Sequence, residues 1–239
     1  MCLNFLPTQN RKWVEKYFNI ALPAVFKDEI YPEYDCPIIR AAFDAGQYKC
    51  NLSHFGLIPP WSKGRKHNRY TYNIKSESMT ANHVAESHRE TYNARSEIVT
   101  TKPSFRAAWN HRHFALVIVD GFMQPNYETG SAVRWKVHKA DGSPFAIACL
   151  WERWADVELG EDIISFCILT RDANMHPLLK RFHRPEDAKR MPVIIPNIHL
   201  RSWLEASLKH ASELISMDAP LDLVAEPFPR VQKAKVELA

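Results

Sequence analysis

The stretch HFALVIVDGF (113–122) constrains the fold more than any other part of the chain. Its apolar, largely β-branched residues show no polar alternation and end at a glycine, the pattern of a buried strand. Other segments extend the same reading. CNLSHFGLI (50–58) is strand-like and is stopped by Pro59–Pro60. AVRWKVHKADGSPFAIACLWERW (132–154) reads as strand, Asp-Gly turn and strand, the signature of a hairpin. SFCILT (165–170) and MPVIIP (191–196) add two short strands. Helical spacing places Trp13, Tyr17 and Ile20 on one side of residues 10–20, and HLRSWLEAS (199–207) and the stretch up to Met217 are also helix-like. Adjacent strands with helices between them predict an α+β fold. At 239 residues with only 7 glycines, there is no long flexible joint to separate two domains. The expectation is one domain over residues 1–227 and a frayed tail over 228–239.

Charge and cysteine usage narrow the chemistry. The net charge of +4 permits an anionic partner without demanding one. Five cysteines, at 2, 36, 50, 149 and 167, contain no CxxC pair and leave an odd one over. That spacing disfavours a disulfide framework or a zinc site, and no metal or cofactor is expected; a reducing compartment fits better. No basic start leads into a long apolar run, and no stretch is apolar enough to span a bilayer, so a cytoplasmic protein is expected. Cys36, Cys50, Cys149 and Cys167 read as small buried hydrophobes.

Cys2 differs because of where it stands. Its side chain is small enough for an aminopeptidase to remove Met1, leaving an α-amine and a thiol on adjacent carbons. These groups titrate near pH ~8 and ~8.5, so each has a reactive fraction at neutrality. Such a 1,2-aminothiol condenses with an aldehyde to a Schiff base and then closes to a thiazolidine. From the first ten residues alone, a chance cysteine in a frayed terminus is the plainer reading.

Three further stretches hold candidate groups. YNARSE (92–97) offers the Asn93 amide, the Arg95 guanidinium, Ser96 and Glu97; an Asn amide can hold an oxygen, and an Arg presents a fork suited to phosphate. Read alone, the cluster is more often a helix-capping segment, though its Ser–Glu spacing is too short for a capping box. FGLIPPWSKGRKHNR (55–69) sets Trp61 beside Lys63 and further basic residues, a stacking surface with charge for a nucleic-acid backbone, or equally a solvated basic loop. FHRPEDAKRMPVII (182–195) contains His183, and a lone histidine is usually structural or solvent-exposed.

In combination these segments are specific. Met-Cys at the start, then GLIPPWSK, NARSE, DGF, CLWERW, ILTRDAN and KRMPVII, resembles the SRAP (SOS response-associated peptidase) family of abasic-site processing proteins, from Cys2 to about residue 205. The resemblance implies a single α+β domain round a barrel-like, mostly antiparallel sheet flanked by helices. It also implies a monomer that binds single-stranded DNA containing abasic sites, is nucleoid-associated when bound, and links covalently to the open-chain aldehyde through Cys2. Carried over residue by residue, Asn93 matches an asparagine that contacts the sugar. Arg95 matches a phosphate-contacting arginine, and Ser96, Trp61, Lys63 and Arg106 fall in segments that flank the DNA. His183 matches the family histidine, with His176 as the rival; its implied role is proton transfer at the deoxyribose ring oxygen.

Two positions depart from the family pattern. Gln124 stands where a glutamate is usual, and a carboxamide cannot exchange a proton. Glu128 could substitute, or could be a surface residue in a turn before Gly130. Asn4 replaces a usual arginine, removing one phosphate contact. The expectation is therefore a crosslinking enzyme with reduced acid–base assistance. Competing expectations are a thiol-dependent autoprocessing peptidase, and a non-covalent single-stranded DNA binder with a decayed site.

Overall fold

The computed structural model describes residues 4–44, 46–62, 91–156, 160–217 and 222–229. In chain order its strands are β1 (Phe5–Pro7), β2 (Asp35–Ala41), β3 (Tyr48–Phe55), β4 (Asn93–Arg95), β5 (Phe114–Asn126), β6 (Val133–Lys139), β7 (Phe145–Asp156), β8 (Glu161–Asp172), β9 (Arg190–Pro192), β10 (Ile194–Ile195) and β11 (Leu223–Pro227). The helices are α1 (Arg11–Phe18), α2 (Pro103–Asn110), α3 (Leu200–Leu204) and α4 (Leu208–Ser216).

The apolar run at 113–122 forms most of β5, and β5 closes the barrel. Its first half pairs with β7 on one edge and β2 on the other. β2 continues to β3, β3 to β8 and β8 back to β7, so these five strands form a ring. All its pairings are antiparallel except β3 with β8, and closure leaves those strands without an open edge.

Burial on both faces explains why β5 lacks alternation. Phe114, Leu116 and Ile118 join the core covered by the four helices, together with Val14, Phe105, Trp109, Trp203 and Leu214. Ala115, Val117 and Val119 join a second core, made by the opposite, inner faces of the strands. Helix α1 buries Val14 and Phe18, while Trp13 and Tyr17 stack beside that face at 4.4 Å between ring centroids. The helical spacing was legible, but the buried stripe lies one residue further along.

The expected hairpin at 132–154 does not form. β6 and β7 are not hydrogen-bonded to each other; both pair with β5, end to end along the same edge. The Asp141–Gly142 turn is an excursion between two collinear strands and does not reverse the chain. Asp141 Oδ1 accepts from Ser143 N at 2.9 Å, a local turn that requires no strand pairing. The long apolar β5 needs a partner along its whole length, and that demand overrides the local turn signal. The reversal instead lies at 127–130, where Gly130 has φ of +84° and its N–H donates to Tyr127 O at 2.9 Å.

MPVIIP also divides. Met191 belongs to β9 beside β8, Ile194 to β10 beside β7, and Val193 bridges to Ala148 and Leu169 by main-chain hydrogen bonds. β11 adds Leu223–Pro227 to the edge of β6.

Candidate active site

Chain direction gathers one set of residues at a single end of the barrel. β8 runs parallel to β5, because each is antiparallel to β7. The final residues of β5 and β8 therefore point the same way, as does β4, which is parallel to β8. β1 is antiparallel to β5 and β9 to β8, so both begin at that end.

A register shift in β5 then turns polar side chains inward. Leu6 faces Gly121 and Pro7 faces Val119, so Asp120 is skipped. The bulge reverses the alternation: Val119 and Phe122 both lie in the inner core. Gln124 and Asn126 follow Phe122 at steps of two and share its face. Gly121 is required at the bulge, since a Cβ there would lie 2.8 Å from the carbonyl oxygen of Val137.

Gln124 and Asn126 are each 1% exposed, and Asn93 is 6% exposed. Among the described residues, both amide atoms of Asn93 and both of Gln124 have no hydrogen-bond partner. Asn126 Oδ1 accepts from the Glu128 N–H at 3.0 Å. Ala94 packs on the helix-covered core, so alternation along β4 turns Asn93 to the inner face. A chain of rings crosses that interior. Phe5 meets Phe55 at 5.3 Å, and Phe55 meets Tyr92 at 5.7 Å, joining the residue after Asn4 to the residue before Asn93.

His183 lies beside the same strand. Its N–H donates to Pro125 O at 2.9 Å, and Phe182 bridges to Asn126. It is buried, holds a left-handed φ of +67°, and places Nε2 3.3 Å from Arg190 O. Burial lowers its pKa to about 4, well below the ordinary imidazole value near 6.5. The imidazole is thus neutral at pH 7.

Sequence reasoning missed the pair that fastens this end. Arg190 is buried and chelates Glu97, with Nη1 to Oε1 at 2.6 Å and Nη2 to Oε2 at 2.8 Å. Arg190 Nη2 also donates to Thr170 O at 2.7 Å. NARSE is thereby tied to KRMPV across the end of β8. Charged residues in both motifs were the only available signal, because their pairing is non-local.

A model of the SOS response associated peptidase (SRAP) family matches residues 1–233. The chain belongs to the SRAP family. Among curated relatives, it is 25% identical over 201 residues to "Abasic site processing protein YoaM" of Bacillus subtilis, covering 82% of this chain and 76% of that protein. It is also 25% identical over 199 residues to "Abasic site processing protein YoqW" of the same bacterium, covering 81% and 76%. Among solved structures, a protein from Bordetella bronchiseptica superposes with a TM-score of 0.80 at 27% identity, over 96% of this chain and 100% of that one. One from Bacteroides thetaiotaomicron shares the fold with a TM-score of 0.70 at 20% identity, over 95% and 92%.

The remaining candidates of this SRAP chain are dispersed. Cys2 and Lys63 lie outside the described residues. Arg95 is exposed beside Asn93. Ser96 and His176 line a separate groove of about 860 Å³ with Glu97, Arg171, Met191 and Met217. There His176 Nδ1 accepts from the N–H groups of Leu178 and Leu179, at 3.2 and 3.1 Å, so that nitrogen caps a turn. Trp61 is 51% exposed and adjoins Ser62, whose carbonyl accepts from Trp154 Nε1 at 2.9 Å. Trp154 pairs with Ile163 at the start of β8, whereas Arg95 pairs with Thr170, roughly 20 Å along the strand. Arg106 is exposed on α2, whose buried side, including Phe105 and Trp109, faces the helix-covered core.

Glu128 does not supply the missing carboxylate. It lies in the β5–β6 turn, where both of its oxygens accept from Arg181, at 2.9 and 2.8 Å. Those hydrogen bonds hold its pKa down to about 2, so it stays ionised at neutrality. Asn4 is buried and structural: its amide nitrogen donates to Ile30 O at 2.9 Å, and its amide oxygen accepts from Arg134 at 2.7 Å.

Proposed function

We propose that this SRAP protein captures abasic sites in single-stranded DNA as a covalent adduct of Cys2, formed once Met1 has been removed. The observation that carries the reading is the set of buried carboxamides of Asn93 and Gln124, whose polar atoms have no partner among the described residues. An unpaired buried polar group typically costs ~1–3 kcal/mol, so a site retaining several is suited to a hydroxyl- and carbonyl-bearing ligand such as deoxyribose. The names of the curated relatives agree in substrate class.

The chemistry follows from the 1,2-aminothiol. The closed sugar opens as its C1′ hydroxyl gives its proton to water, the bond from C1′ to the ring oxygen breaks to leave the aldehyde, and the ring oxygen takes a proton from the His183 imidazolium; binding next to DNA phosphates favours that charged form by raising the imidazole pKa toward neutrality. The Cys2 amine adds to the aldehyde carbon, and loss of water leaves a Schiff base. The thiol sulfur then adds to that carbon, its proton ends on the ring nitrogen, and the thiazolidine closes. Asn93 and Gln124 orient the hydroxyl groups, and Gln124 moves no proton. Two peptide units join Cys2 to Asn4, a reach of about 7 Å at most between their Cα atoms. Arg95 contributes a phosphate contact. The unit acts as a monomer and needs no cofactor.

Incubating Met1-processed protein with abasic single strands should give a gel-stable adduct that Cys2→Ala does not form. No adduct from the wild type, or equal adduct from Cys2→Ala, would overturn the reading. Mass spectrometry of protein made without methionine aminopeptidase tests the peptidase activity named in the family. Loss of Met1 under those conditions identifies self-cleavage.

A further inference from the structure

Arg134 stands on β6 opposite Pro125, one register position from Gln124. Its side chain is half-buried, and the guanidinium is held on several sides. Nη2 donates to Asn4 Oδ1 at 2.7 Å and also pairs with Glu29 Oε1. Glu29 is itself held by the Tyr31 hydroxyl, which donates to the same oxygen at 2.7 Å. Nη1 donates to Phe228 O at 3.3 Å, and the Phe228 ring lies 5.3 Å from the guanidinium carbon. The Phe228 N–H returns a bond to Arg134 O at 2.8 Å.

The far end of this network is the start of the described chain. Asn4 O accepts from Met123 N at 2.8 Å, and Asn4 Nδ2 donates to Ile30 O. The main chain of Asn4 is thus fixed by β5, and its side chain by Ile30 and Arg134. Glu29 holds the guanidinium from one side and Phe228, just after β11, from another.

We propose that Arg134 is a positioning residue for the amino-terminal nucleophile: its bond to Asn4 fixes the point from which the preceding two residues reach the carboxamide site. This rests on the Cys2 reading above. The arginine comes from β6, and its hydrogen bonds go to protein groups. The link joins Asn4, just before β1, to β6 and to Phe228, just after β11.

The test compares full-length, Met1-processed wild type with Arg134→Met and Arg134→Lys. Binding to single-stranded DNA carrying a tetrahydrofuran analogue, which has no aldehyde, is measured over a salt series. The rate of adduct formation is measured separately at saturating abasic DNA. A misplaced nucleophile lowers that rate roughly ten- to a hundredfold in Arg134→Met. Its Kd and salt slope stay at the wild-type values. Arg134→Lys recovers part of the rate, since an ammonium can donate to Asn4 and Glu29, and adding Asn4→Ala to Arg134→Met costs little more. Weaker binding with a salt slope smaller by about one, at an unchanged saturated rate, identifies a phosphate contact and overturns the proposal. So does an unchanged rate in both variants. If the wild type forms no adduct, the Cys2 reading fails, and amide exchange at Met123, which donates to Asn4 O, decides whether the anchor exists. Faster exchange there in Arg134→Met supports it, and unchanged exchange overturns it.

Discussion

Arg190 and Glu97 lie 93 positions apart in the chain, yet their side chains meet in a two-pronged ion pair at 2.6 and 2.8 Å. Burial raises the Glu97 pKa, but the hydrogen bonds and charge of Arg190 and the Asp172 N–H together outweigh it, leaving the group below its ordinary value. Arg190 also supplies the carbonyl that faces His183 Nε2. This pair therefore supports the histidine as well as the fold.

Removing its carboxylate strands a buried guanidinium. Glu97→Ala is expected to lower unfolding free energy by about 2 kcal/mol, between the values for exposed and fully buried pairs. A folded-state pKa below the unfolded one means the carboxylate stabilises above pH ~4.5 and loses that contribution as the pH falls through its folded value. Urea denaturation of wild type and Glu97→Gln at pH 7 and pH 3.5 should show the gap narrowing in acid; a constant gap would refute the linkage.

Asn93 is expected to trade stability for activity. Leucine has nearly its shape and removes two buried polar atoms that have no partner among the described residues. Asn93→Leu should therefore raise stability by roughly 1 kcal/mol while abolishing adduct formation. Lower stability with adduct formation intact would assign the amide a purely structural role.

Restoring a carboxylate at position 124 tests the acid–base deficit. Gln124→Glu should accelerate adduct formation by roughly ten- to a hundredfold, below the usual ceiling for general acid–base catalysis, and add a new limb to the pH–rate profile. Its burial without a partner should raise the new carboxyl pKa and reduce stability at neutral pH. An unchanged rate would show that Gln124 sets geometry alone.

His183 makes stability fall on mild acidification. Its folded pKa of about 4 lies below the unfolded value near 6.5, so between those values the unfolded chain binds more protons. Stability therefore declines as the pH drops through 6.5 and levels off near 4. His183→Asn, which tolerates the positive φ, should flatten this part of the wild-type curve. Parallel curves in thermal melts across that range would count against it.

Trp203 joins α3 to the barrel by one bond. Its Nε1 donates to Ala115 O at 2.9 Å, and its ring lies 4.7 Å from Phe114. Trp203→Phe should cost about 2–4 kcal/mol, combining an unsatisfied carbonyl with lost volume. A smaller loss in urea titration would show that the core closes over the gap.

The strands readable beforehand were those whose own residues demand burial. HFALVIVDGF and SFCILT form parts of β5 and β8, because a run apolar on both faces has few other places to lie. The hairpin at 132–154 failed because a turn signal reports local backbone preference, whereas strand pairing depends on the neighbour that most needs a partner. Asn93, Gln124 and His183 were nameable from motifs, and β4, β5 and the loop before β9 carry them to the same end of the barrel. The property that sets Asn93 and Gln124 apart, polar atoms without a partner among the described residues, was not visible without the packed interior.

Sequence by itself determined the apolar strands within β3, β5 and β8, the helical stretches at α1, α3 and α4, the departure at Gln124 and the aminothiol potential of Cys2, since each depends on residue identity or near neighbours. Tertiary structure alone decided that Asn4 is held by Arg134, 130 positions away, that Glu128 is held by Arg181, and that burial lowers the His183 pKa to about 4. Hydrogen bonds and desolvation act through space over a few ångströms, and only the closed barrel brings distant residues within that range.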